Sequence, residues 1–158
     1  MFKQSLLFVL ILLGFSSAFA DTVIKDCNVA SIYDGDTLTA HCKGKKIKVR
    51  FYCIDTPEMR QNPWGKTSRD YLKSITPKIV DLRVHTKDRY GRQVAEVFSR
   101  ETNVNLKMVA DGYAAVYPRY CEDKPYYLAQ SKAKKSQLGI WQYSGLHQTP
   151  WIWRKKYR

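Results

Sequence analysis

Residues 47–58 read Ile-Lys-Val-Arg-Phe-Tyr-Cys-Ile-Asp-Thr-Pro-Glu. Ile47, Val49, Phe51 and Cys53 alternate with Lys48, Arg50 and Tyr52, the two-residue period of a strand with one face in a core. The apolar set faces inward, so Arg50 points away from it. The alternation then gives way to Asp55 and Glu58, with a Thr-Pro-Glu run suited to opening a helix. The centre of the chain is therefore a strand that delivers an arginine and, within a few residues, two carboxylates.

Upstream, a strand starting at Thr22 reaches Asp34-Gly35, the dipeptide of a two-residue hairpin turn, and a second strand runs from Thr37 to His41. Lys43 to Lys46 turns the chain into the central strand. Downstream, Trp64 to Ile75 reads as a helix. Val80, Leu82 and Val84 mark another strand with polar alternates. A tight turn at Asp88 to Arg92, with Gly91 supplying backbone freedom, leads into a strand from Val94 to Phe98. Asn103 caps a helix to about Asp111, which Gly112 terminates. Tyr113 to Tyr117 is extended. A last helix is expected from near Pro125 to Gly139. Strands clustered first and helices interleaved later predict a small barrel with packed helices. The tail carries Trp151 and Trp153 around Ile152, followed by basic residues, and is expected to pack as a strand-like cover for the core.

The first 20 residues read as an export signal: Lys3, an apolar run from Leu6 to Phe15, and Ala18-Phe19-Ala20 as the cleavage site. The run is shorter than the roughly 20 residues a membrane span requires, so a cleaved leader and a single domain over 21–158 are expected. No later stretch is apolar enough to span, and no stable membrane association is expected after cleavage. The destination is periplasmic or secreted, with a monomer as the default state.

The formal net charge is +13, and losing Lys3 with the leader lowers it by one to +12. Such an excess favours a polyanion partner. Four cysteines in an exported chain imply two disulfides. With Asp34-Gly35 as the turn, Cys27 lies across from Cys42, which leaves Cys53 to pair with Cys121. No CxxC or HxxxH spacing supports zinc. His41, His85 and His147 stand apart from one another, as packed or solvated histidines do, and Lys132, Lys134 and Lys135 suit a solvated helix face.

Three segments concentrate chemistry: Asp34-Gly35-Asp36-Thr37, Arg50 through Glu58, and Asp88-Arg89-Tyr90-Gly91-Arg92. Together they supply carboxylates for a hard cation, arginines for phosphate oxygens and a spare carboxylate to activate water. Their order and spacing resemble the staphylococcal nuclease signature, a DGDT turn before R-x-x-x-x-D-[TA]-P-E and a later D-[KR]-Y-G-R turn. The resemblance extends through Val104-Asn105, Gly112 and Leu138-Gly139-Ile140-Trp141.

That resemblance implies an α+β, mainly β architecture: a five-stranded OB-fold barrel with about three packed helices. It implies calcium held by the carboxylates of Asp36 and Asp55 and the backbone carbonyl of Thr56. Arg50 and Arg92 would grip the scissile phosphate, and Glu58 matches the position assigned as general base. Arg89 and Tyr90 match positions near a terminal phosphate, while Tyr117 or Tyr120 could stack a base. The implied activity is calcium-dependent, sequence-nonspecific hydrolysis of DNA and RNA, single strands preferred, leaving 3′-phosphate ends. The rival expectation is a non-catalytic module of the same fold that binds single-stranded nucleic acid.

Overall fold

The strands β1 (Thr22–Ile32), β2 (Thr37–Cys42) and β3 (Lys45–Phe51) form an antiparallel meander in a computed structural model that describes residues 22–157. The proposed leader and its cleavage point lie outside the described residues. After β3 come β4 (Ile54–Asp55), helix α1 (Trp64–Ile75), β5 (Ile79–Lys87), β6 (Gln93–Ser99), β7 (Thr102–Asn103), α2 (Val104–Ala110), β8 (Ala115–Val116), α3 (Lys124–Lys135) and α4 (Pro150–Lys156).

Pairing runs β3-β2-β1-β5-β6, and β6 returns to β3 in parallel through Val49↔Gln93, Arg50↔Val94 and Phe51↔Ala95. That last pairing closes five strands into a barrel of the expected OB type and leaves none of their long edges open. Its inside is filled by Leu38, Ala40, Val49, Phe51, Val80, Leu82, Ala95 and Val97, the inward alternates of each strand. Leu72 of α1 and Val104, Met108 and Val109 of α2 complete the same core. Burying each large aliphatic or aromatic side chain contributes about 1.5–3 kcal/mol.

Local chemistry explains the helix ends. Asn103 caps α2 by accepting from the Leu106 amide at 3.0 Å. Fully buried Asn105 then ties α2 to the barrel: its Oδ1 accepts from the Val97 amide, and its Nδ2 donates to the Tyr52 and Ala95 carbonyls, each at 3.0 Å. Helix α1 ends before Thr76-Pro77, because a residue preceding proline is pushed out of the helical region.

Several expectations are corrected. The hairpin loop holds three residues, Asp34 to Asp36, because the Tyr33 amide bonds the Thr37 carbonyl at 3.0 Å. A bulge between Val29 and Ser31 absorbs the extra residue and restores the register at Asn28↔His41. Cys27 therefore still meets Cys42, at a Cα separation of 4.4 Å, and Cys53 pairs with Cys121 at 4.5 Å. Strand β3 stops at Phe51 rather than Cys53, which takes a left-handed φ of 67°.

Helix α3 ends at Lys135, short of Gly139. Gln137, at φ 51°, fills the left-handed capping position, and the Leu138 amide bonds the Ala133 carbonyl at 3.0 Å. Gly139 serves a close crossing instead, since a Cβ there would lie 2.2 Å from the Gly112 carbonyl oxygen. The tail packs, but as a fourth helix and not as an extended cover, with Trp151 against a small cluster of Ala115, Ala133, Ile140 and Trp141. Among the described residues no helix is long and apolar enough to cross a membrane.

Candidate active site

Thr37 of β2 sits across from Arg50 of β3, and the Phe51 amide bonds the Asp36 carbonyl at 2.8 Å. The hairpin loop is thereby fastened to the end of β3, which brings Asp36 beside Arg50. The Arg50 guanidinium lies 3.3 Å from Asp36 Oδ2 and 3.0 Å from Asp55 Oδ1 and donates to the Phe51 carbonyl at 2.9 Å. Asp36 Oδ2 also accepts from the Thr56 amide at 2.9 Å and its hydroxyl at 3.0 Å, while Thr37 Oγ1 donates to Oδ1 at 3.2 Å. Gly35 is required here, since a Cβ would approach Thr56 Oγ1 to 2.8 Å.

Asp55 is positioned by a different device. Strand β4 pairs with β8 through Ile54↔Val116 and Asp55↔Ala115, and the Cys53–Cys121 bridge braces the same junction. Glu58 follows in a loop clamped by Gln61, whose Oε1 accepts from the Glu58 amide while its own amide donates to the Glu58 carbonyl, both at 2.8 Å. Gly65 of α1 presses on that carbonyl so closely that a Cβ would stand 2.1 Å from it. Asp36, Arg50, Asp55, Thr56 and Glu58 thus gather at one end of the barrel.

The charges strain against burial. Asp36 and Asp55 are 5% and 1% exposed. Burial, reinforced by the Asp36 charge, pushes Asp34 up to about 7, although the Asp36 amide and Arg50 pull the other way. Burial also pushes Asp55 up to about 6, against the pull of Arg50 and with Asp36 adding to the rise. Burial works against the charge on Arg50, but the Asp36 and Asp55 carboxylates outweigh it and hold the group above its usual range.

Arg92, Arg89, Tyr90 and Tyr117 line the same open cleft, of about 1010 Å³. The β5–β6 turn is held by the Asp88 amide on the Arg92 carbonyl at 3.0 Å, with Gly91 at φ 79°. Arg92 Nε donates to Asp88 Oδ2 at 2.7 Å, which fixes the arginine at the cleft wall. Arg89 donates to the Tyr90 hydroxyl at 2.7 Å, and Tyr90 is 65% exposed. Tyr117 stacks on Trp151 with ring centroids 5.4 Å apart, so part of its face is already covered, and Tyr120 meets its edge at 5.0 Å.

Two groups of site residues escaped the sequence reading. Gln61 and Gly65 show only as loop and helix-start residues until the Glu58 backbone is placed against them. Arg154 of α4 is the larger omission. It grips Asp55 with both terminal nitrogens, at 3.0 and 2.8 Å, and donates to Glu58 Oε1 at 2.7 Å. Its only signal was membership of a basic tail. Two of the three histidines pack: His147 stacks on Trp64 at 4.2 Å and bonds the Ile140 carbonyl, and His85 stacks on Tyr52 at 4.0 Å, while His41 is exposed.

The donor set suits a hard cation. Two buried carboxylates and the Thr56 carbonyl are all oxygen ligands, the kind calcium accepts with irregular geometry. Among the described residues no three Asp, Glu, His or Cys side chains converge as a closed metal cage, so water and phosphate oxygens would complete the shell.

The family model described as staphylococcal nuclease homologue matches residues 48–143, from β3 through α3. A Haemophilus influenzae protein described as an uncharacterized endonuclease is 38% identical over 143 residues, covering 89% of this chain and 80% of that protein. An Escherichia coli O157:H7 protein of the same description is 35% identical over 130 residues, covering 81% and 84%. The micrococcal nuclease of Shigella flexneri is 32% identical over 139 residues, covering 80% and 79%. Because the similarity runs through the strand that carries Arg50, the clamped Glu58 loop and the β5–β6 turn that carries Arg92, the chain belongs to the staphylococcal nuclease family.

Proposed function

We propose that this nuclease hydrolyses the phosphodiester backbone of DNA and RNA without sequence preference, requires calcium, prefers single strands and leaves 3′-phosphate ends. One observation carries the reading: two buried carboxylates share Arg50 at one end of a closed barrel, with Glu58 beside them and Arg92 on the wall of the same cleft. A purely structural ion-pair network has no need of a 1010 Å³ opening.

Asp36, Asp55 and the Thr56 carbonyl would hold the cation. When bound, it neutralises phosphate charge and lowers the pKa of water. Of the five N–H groups of Arg50, two are donated to Phe51 and Asp55, which leaves three to face the Asp36 carboxylate and phosphate oxygens. Arg92 supplies a second fork from the β5–β6 turn. Both arginines stabilise the charge that grows on the phosphoryl oxygens as water attacks phosphorus. Glu58 orients that water and takes its proton as the new bond to phosphorus forms; the bond to the 5′ oxygen breaks, and that oxygen leaves as a hydroxyl after taking a proton from solvent. Arg89 and Tyr90 at the cleft rim hold the adjoining phosphate, and the exposed Tyr120 ring offers a base a stacking surface.

Export completes the reading: residues 1–20 are removed and the protein acts outside the cytoplasm as a monomer. Secreted protein should begin at Asp21 by mass spectrometry, and an intact leader would contradict this. The decisive assay digests single-stranded DNA and RNA with calcium and then with excess chelator. Cleavage confined to the calcium sample, with 3′-phosphate ends, is expected. Tight, salt-sensitive binding without cleavage would instead support a binding module.

A further inference from the structure

Asp55 is almost fully buried, yet two guanidinium groups reach it. Arg50 donates to Oδ1 at 3.0 Å, and Arg154 spans both oxygens, with Nη1 on Oδ1 at 3.0 Å and Nη2 on Oδ2 at 2.8 Å. The same Nη1 reaches Glu58 Oε1 at 2.7 Å. Arg154 therefore ties a proposed cation ligand to the proposed general base. It lies beyond residues 48–143, the span the family model matches.

Helix α4 holds Arg154 at this point through several contacts. Trp151 stacks on Tyr117 and packs against the Ala115, Ala133 and Ile140 cluster. Pro150 is buried at the start of the helix, and the Arg60 guanidinium lies 5.9 Å from the Trp153 ring centre. The turn before α4 is pinned where His147 stacks on Trp64. The Arg154 guanidinium carbon sits 5.9 Å from the Tyr117 ring centre, and the residue lines the cleft.

A divalent cation bonded to Asp55 Oδ2 at about 2.4 Å would stand within about 5 Å of the guanidinium now on that oxygen, and like charges at that range repel. Arg154 Nη2, on Oδ2 at 2.8 Å, stands against the cation for that oxygen, whereas Arg50 reaches Asp55 only through Oδ1. We propose that Arg154 is a tethered competitor of the divalent cation: it occupies Asp55 and Glu58, must be displaced for the cation to bind, and so sets the cation affinity of the site. The proposal rests on the reading of Asp36 and Asp55 as cation ligands. It goes further by assigning to α4 the concentration at which the cation binds.

The arithmetic is that of a binding-competent fraction: if Arg154 holds the carboxylates nine-tenths of the time, the apparent affinity is about tenfold weaker than the intrinsic one. Calcium titration of chelator-stripped protein by calorimetry, without substrate, tests this directly. Arg154→Gln should bind calcium about tenfold more tightly than wild type. Lys155→Ala, which removes one positive charge from the same helix and cleft wall, should stay within about twofold, because an exposed charge is screened. Arg154→Lys should fall between wild type and Arg154→Gln, since it keeps the charge but loses the two-pronged grip. Thermal unfolding in chelator gives a second readout: Arg154→Gln should melt below wild type and gain more from calcium. Equal affinities for wild type and Arg154→Gln, or weaker binding by the variant, would overturn the competition while leaving the cation site intact. Binding by neither protein would remove the cation site itself and the proposal with it.

Discussion

Arg50 and Arg92 have the same expected chemical role but very different surroundings. Arg50 lies between two buried carboxylates, so Arg50→Ala leaves Asp36 without its charged partner and Asp55 with Arg154 alone. Removing Arg50 should lower kcat/KM by about 10²–10³ and destabilise the calcium-free protein by about 3–5 kcal/mol. Initial rates on an oligonucleotide and urea unfolding in chelator measure the two effects separately. Arg92 pairs with Asp88 and lies 5.5 Å from the Tyr90 ring centre at the partly exposed cleft wall, so Arg92→Ala should lose a similar factor in rate while stability changes by less than about 1 kcal/mol. A fully active Arg50→Ala, Arg92→Ala double variant would refute both roles. Gly65 supports the chemistry by having no side chain. Gly65→Ala must push the Glu58 carbonyl away from a contact of 2.1 Å, and a shift of about 1 Å in a catalytic group costs about 10²-fold in rate. Unchanged turnover in that variant would mean that the Glu58 loop tolerates displacement.

At the scale of elements, the two disulfides separate stability from function. Cys27–Cys42 closes 15 residues and ties β1 to β2 at the end of the hairpin remote from Asp36. Cys53–Cys121 closes 68 residues and braces the β4–β8 pairing that presents Asp55. Loop-closure entropy assigns them about 3 and about 4 kcal/mol respectively. Replacing the Cys27–Cys42 pair by alanine should lower the unfolding free energy in urea yet spare most of the calcium-dependent rate. Replacing the Cys53–Cys121 pair should lower both. If the second variant kept full activity, β4 and β8 alone would suffice to place Asp55.

For the whole molecule, a net charge of +13 over the full sequence, +12 once the proposed leader with Lys3 is removed, creates a field that draws in polyanions, and Lys48, Arg89, Arg119 and Lys155 continue it along the cleft. The Michaelis constant for single-stranded DNA should therefore rise with sodium chloride, by a logarithmic slope of about 0.7 for each phosphate contacted. A salt-independent value would refute electrostatic capture. Calcium should act on the fold as a whole as well, because a ligand that binds only the folded state stabilises it by about 2.7 kcal/mol at a hundredfold excess over its dissociation constant. A melting temperature indifferent to calcium would contradict binding at the carboxylate cluster.

Much of this site was legible because its parts are local. Alternation from Ile47 turned Arg50 away from the core, the Asp-Gly loop placed Asp36 at the end of a hairpin, and Asp55 and Glu58 followed within a few residues of chain. The disulfide pairing was legible for a related reason: antiparallel register is a counting rule, and the bulge after Val29 cancelled the one-residue error in the loop. Tertiary structure alone decided the rest. Gly65 and Gln61 acquire a purpose only when α1 is packed against the Glu58 loop. Arg154 reaches Asp55 across 99 residues because α4 docks Trp151 on Tyr117 and the Ile140 cluster. Periodicity and turn chemistry act over a few residues and fix what each segment becomes, whereas which side chains meet at one point in space depends on how apolar faces pack across the whole chain.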